Sequence, residues 1–97
     1  MATYLSLLNF TDKGIREVKD TLKRTDAFKK MAKDHKVSVK EALWLQGQYD
    51  IATIIEAPDE ATATALLLSV AKLGNIRSQT LRAFTAAELE NILGKVA

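Results

Sequence analysis

Apolar and polar residues alternate from Thr3 to Phe10, with Leu5 and Leu7 on one side and Tyr4, Leu8 and Phe10 on the other. That period of two predicts a first strand with both faces buried. Thr11-Asp12 then offers a helix N-cap, and the spacing becomes helical as far as His35-Lys36. Its apolar positions fall into two sets, Ile15, Val18 and Leu22, then Phe28, Met31, Ala32 and His35. The phase slips between them, where Thr21 and Thr25 also lower helix propensity. A short helix, a break or kink near Asp20–Asp26 and a longer helix are expected. Two further strand-like runs, Val39 to Gln46 and Tyr49 to Glu56, flank Gly47-Gln48. A two-residue Gly-X connection predicts a type II′ hairpin, since glycine reaches positive φ without a Cβ clash. Ala57-Pro58-Asp59-Glu60 reads as a helix start, and Leu73-Gly74-Asn75 as its end. Ile76 to Phe84 alternates again, and Thr85-Ala86-Ala87-Glu88 is a capping box opening a last helix to about Leu93.

The order is therefore βαββαβ plus a terminal helix. Both crossovers are long enough for the usual right-handed return. This is an α+β, ferredoxin-like arrangement: a four-stranded antiparallel sheet with the first and third strands central, in one domain over residues 1–97. The third strand divides Tyr49, Ile51 and Ile55 from Ala52 and Ile54, so it too is apolar on both faces. Two helices cover only one face. The other needs a partner subunit or the terminal helix, because monomers rarely expose so large an apolar patch. A homodimer or higher oligomer with sheets packed face to face is expected. The uncharged segment Ala61 to Ala71 supports assembly, since its apolar character runs round the cylinder beyond the core stripe Ala63, Leu66, Leu67, Val70 and Leu73.

Composition narrows the chemistry. There is no cysteine, which excludes disulfides, thiolate nucleophiles and thiolate metal centres. His35 is the single histidine, sits near a helix C-terminus and suits capping or packing; no metal site is expected. The net charge is +2, with ten Lys/Arg against seven Asp/Glu in residues 1–50. Acids are interleaved with the lysines between Lys13 and Lys40, as on a solvated helix, so nucleic acid is not an expected partner. No secretory signal or membrane-length run occurs, and a soluble, cytoplasmic protein is expected. No Gly-rich phosphate loop and no nucleophile–base pair appear, so no cofactor is assigned.

Five residues are candidates for a ligand site. Asp50 is unusual for a strand and adjoins Tyr49 directly after the turn. Its carboxylate either locks the hairpin through local hydrogen bonds or serves as a ligand contact or general base. Arg77 and Gln79 lie on a polar final strand, where forked hydrogen bonds could hold an anionic or amide-bearing ligand if they point between packed sheets. Trp44 shares a sheet surface with Ala42 and Gln46 and is a core, interface or ligand-wall residue.

Gly47-x-Tyr49-Asp50 resembles the motif of the GYD domain family. The likeness extends over Leu8-Asn9-Phe10-Thr11-Asp12-Lys13-Gly14-Ile15, Glu56-Ala57-Pro58-Asp59 and the strand from Gly74 to Phe84. Leu22 departs from it, standing where many relatives carry proline. The resemblance implies a ferredoxin-like, dimeric α+β-barrel type of fold without an established activity. The hairpin and the Pro-Asp-Glu helix start are also similar to the effector-sensing domains of leucine-responsive-type regulators, though their helix-turn-helix is absent.

The leading expectation is a small-molecule-binding or scaffold module, working as a homo-oligomer, with an inter-sheet pocket lined by Tyr49, Asp50, Arg77, Gln79 and Trp44. The alternative is a cofactor-independent enzyme on a small metabolite, with Asp50 or His35 as acid/base and Arg77 or Arg82 stabilising negative charge. RNA binding on the open sheet is a third reading, thinly supported by Tyr4 and Phe10.

Overall fold

A computed structural model describes residues 1–97. The elements are β1 (Ala2–Phe10), α1 (Asp12–Arg16), a 3-10 turn (Val18–Asp20), α2 (Thr21–Asp34), β2 (Ser38–Trp44), β3 (Ile51–Ala57), α3 (Glu60–Ala71), β4 (Ile76–Ala83) and α4 (Ala86–Leu93). The four strands are antiparallel in the order β2-β3-β1-β4, which puts β1 and β3 at the centre and makes the fold ferredoxin-like. The molecule is only 18 Å along its shortest axis, the depth of one sheet and one layer of helices.

Alternation decides what each strand buries. Tyr4, Ser6 and Leu8 of β1 and Ile51, Thr53, Ile55 and Ala57 of β3 are buried beneath α2 and α3. Ala63 and Leu66 of α3 and Ala32 of α2 close the larger core cluster, and Leu8, Ile51 and Ile76 form a smaller one. Of the expected α3 stripe, Leu73 instead lies exposed, past the helix end.

The helix break falls at Glu17–Asp20, on the N-terminal margin of the expected interval. Arg24 explains the position. Its guanidinium donates to the carbonyls of Gly14 and Glu17, pinning α2 to the end of α1, and the Glu17 carbonyl also closes the 3-10 turn by accepting from Asp20 N–H. The α2 terminus is a Schellman motif: Lys36 takes a positive φ of 60°, Val37 N–H donates to Ala32 O and Lys36 N–H to Lys33 O. His35 closes the same end through a 2.9 Å contact from Nδ1 to the Met31 carbonyl.

Two helix starts are fixed by their caps. Asp59 accepts from Thr62 N–H at 2.7 Å, and that bond holds its carboxyl below the usual aspartate range. Thr85 and Glu88 form a reciprocal capping box, and Glu88 also takes an ion pair from Arg82 at 3.1 Å. The Thr85 amide and then Arg82 hold the Glu88 carboxyl low. The α4 helix begins as the sequence predicts. It does not fold back on the sheet, however, and makes no extensive contact with any other element.

The tight hairpin does not form. β2 stops at Trp44 and β3 starts at Ile51, leaving Leu45 to Asp50 as an irregular connection. Gly47 has positive φ, 123°, as expected. Asp50 is the physical cause of the longer loop. Its N–H donates to Leu8 O and its Oδ2 accepts from Phe10 N–H at 2.9 Å, which ties it to the end of β1, while its carbonyl keeps a single bond across the loop from Leu45 N–H.

Candidate functional site

The sheet face opposite the helices is uncovered, and cross-strand register turns it into rows. One row runs Leu81, Leu5, Ile54 and Glu41; the next runs Gln79, Leu7, Ala52 and Leu43. Leu43, Ile54 and Leu81 are exposed. Beyond one end of this band lie Ala83, Thr3, Glu56 and Ser38, and beyond the other lie Arg77 and Asn9. An apolar band with a polar rim is the composition of a docking surface. The sequence pattern marked Leu5, Leu7 and Ile54 in advance. Leu43 and Leu81 sit on edge strands, and only the register places them in the same band.

The five candidate residues divide between three places. Tyr49 reaches over the open face, and its hydroxyl donates to Gln79 Oε1 at 3.0 Å. Alternation puts Arg77 on that same face, two residues from Gln79. Asp50 lies at the end of the sheet, with its carboxylate on the Phe10 amide. Trp44 is on the helix side, opposite buried Ile51, and its Nε1 donates to Thr21 Oγ1 of α2 at 3.0 Å. Tyr49, Gln79 and Arg77 are thus brought to one surface; Asp50 and Trp44 point elsewhere.

The bond from Phe10 N–H to Asp50 gives that aspartate a mechanical role. Asp50→Ala leaves a partly buried N–H unpaired and is expected to cost about 1–2 kcal/mol. Urea unfolding checks the value, and an unchanged midpoint would separate Asp50 from the stability of the sheet end.

The open face rests on this frame, and the chain that builds it is similar in sequence to known proteins. The GYD domain family model matches residues 4–93. The chain belongs to the GYD domain family. A curated relative from Thermus thermophilus, named glutamine synthetase and cystathionine beta-lyase binding protein, is 30% identical over 90 residues. That alignment covers 92% of this chain and 95% of the relative. For this GYD-domain chain the family motif therefore has a visible structural meaning. Gly47 makes the turn, Tyr49 spans the open face, and Asp50 ties the loop to β1. No group of His, Cys, Asp and Glu side chains is placed to hold a metal ion, and no helix is long and apolar enough to cross a membrane.

Proposed function

We propose that this chain is a protein-docking module that works as a homodimer, its two open sheet faces packed together. The apolar band of Leu5, Leu7, Leu43, Ile54 and Leu81 carries the reading. The terminal helix leaves that band uncovered. Four strands at about 4.8 Å spacing and about 25 Å length present on the order of 500 Å² of projected sheet. A standard interface needs roughly 800 Å² per partner. The exposed Leu89, Ile92 and Leu93 of α4 would supply the remainder on the second copy. Where the faces meet, Tyr49, Gln79 and Arg77 would border a polar pocket for a small-molecule ligand. The relative's name supports enzymes as further partners, of the kind it binds: a glutamine synthetase or a cystathionine beta-lyase.

A cofactor-independent enzyme is less well supported. Asp50 is bonded to the Phe10 amide and His35 to the Met31 carbonyl, so neither candidate acid/base stands free in a cleft.

Native mass spectrometry of protein from its own host tests the assembly. The expected species is a dimer, and a second measurement adds purified glutamine synthetase and looks for a mixed complex. A monomer at tens of micromolar would remove the sheet-to-sheet reading. A dimer without a mixed complex would remove that enzyme as the partner and leave self-association standing.

A further inference from the structure

A second site lies on the opposite side of the sheet, inside one protomer. Beneath α2 and α3 the core is split into two clusters, and a cavity of about 120 Å³ is lined from both. Leu8, Ile51 and Ile76 of the smaller cluster line it, together with Val70 of α3, which packs on them. So do Phe28 and Met31 of α2, which pack on the larger cluster. Native cores hold few voids larger than a water molecule, and one water needs only about 15 Å³ of such space. A void of this size forgoes packing that bulkier side chains would restore.

Nothing on the wall favours a polar occupant. Thr53 Oγ1 and Asn75 Oδ1 are sealed from anything the size of water, so neither faces the space. Thr25 Oγ1 donates to the Thr21 carbonyl, and Thr21 Oγ1 accepts from Trp44 Nε1. The only charged side chain there, Arg24, is held by the carbonyls of Gly14 and Glu17. Apolar protein cavities stay dry, and one of roughly 150 Å³ takes up benzene. We infer that this cavity binds a small uncharged molecule without polar groups, about the size of a single hydrocarbon ring. Seated there, the ring would join the two core clusters into one and stabilise the fold. The site is independent of the proposed dimer, since every wall residue belongs to one chain.

The test is a ¹⁵N-resolved titration of the full chain with benzene, phenol and benzoate, with thermal unfolding followed in parallel. Benzene is expected to shift amides of α2, β3 and α3, and to raise the melting temperature by about 5 °C at ten times its Kd. Phenol should bind at least five-fold more weakly, since its hydroxyl would be buried without a partner, and benzoate should not bind. Val70→Phe places a ring of the protein's own in the space and should abolish the benzene shifts. Phenol or benzoate binding as tightly as benzene would overturn the assignment. Benzene shifts confined to the open sheet face, or none at saturation, would overturn it too, as would shifts that persist in Val70→Phe. The comparison of the three ligands on the wild-type protein stands even if that variant fails to fold.

Discussion

Gly14→Ala lowers the unfolding free energy by about 3 kcal/mol, the upper range for forcing extra volume into a packed site. In a domain near this size that is a drop of about 15 °C in melting temperature. The cause is one contact. A Cβ at Gly14 would collide with the Asn75 carbonyl oxygen and come within 3.0 Å of its carbon, and both are backbone atoms that cannot rotate away. The Asn75 carbonyl is itself held by Thr11 N–H at 3.1 Å. Thr11 Oγ1 donates to Gly74 O, and Lys13 Nζ reaches Leu73 O at 2.9 Å. The start of α1 and the turn before β4 are thus clasped together, and the clasp leaves no room for a methyl group. Gly47→Ala is the control. A Cβ there meets nothing within 4 Å, so only the positive φ is strained, at about 1 kcal/mol. Thermal and urea unfolding of the two variants check the order. Equal losses would mean the clasp can yield.

Ile54→Asp is expected to convert the dimer proposed above to a monomer, weakening self-association by at least 100-fold, about 2.7 kcal/mol. Ile54 stands on the central strand β3, between Leu5 and Glu41 in the register. It is 38% exposed in the single chain, so the change disturbs folding little. Packed against a second copy, the carboxylate would be buried without a partner, and a two-fold axis imposes that cost twice. Light scattering after size exclusion reads the mass, and circular dichroism verifies the fold. Leu68→Asp is the comparison, because Leu68 is 64% exposed on α3, on the other side of the sheet. Should that variant dissociate and Ile54→Asp stay dimeric, the interface lies on the helices.

How much of this was legible in the sequence follows from which interactions are local. The capping box at Thr85 and Glu88, the helix start around Pro58-Asp59-Glu60 and the helix end before Gly74 use atoms within a few residues of one another, and each was readable directly, though the role of Asp59 as the N-cap itself was not. So was the two-faced alternation of β1. The hairpin was misjudged because the Asp50 carboxylate bonds to Phe10, forty positions away in the chain, and only its carbonyl keeps a local bond, from Leu45 N–H. Likewise, the break before α2 is placed by the reach of Arg24 to Gly14 and Glu17, which no propensity scale contains.

The candidate site divides in the same way. Tyr49, Arg77 and Gln79 announced themselves as polar groups beside apolar strands, and the structure adds the bond from Tyr49 to Gln79. Trp44 could not be assigned to a face from its own strand, because the register shift between Val39 and Glu41 changes the alternation along β2. The cavity between α2, α3 and the sheet gave no signal at all, since it exists only when those elements are assembled.

By itself the sequence determined the order of elements, the helix caps and the apolar character of both sheet faces, since periodicity and capping act over one or two turns of chain. Tertiary structure alone decided which face stays open and that α4 stands away from it. Those outcomes depend on packing between segments tens of residues apart, where the distance along the chain carries no information about the distance in space.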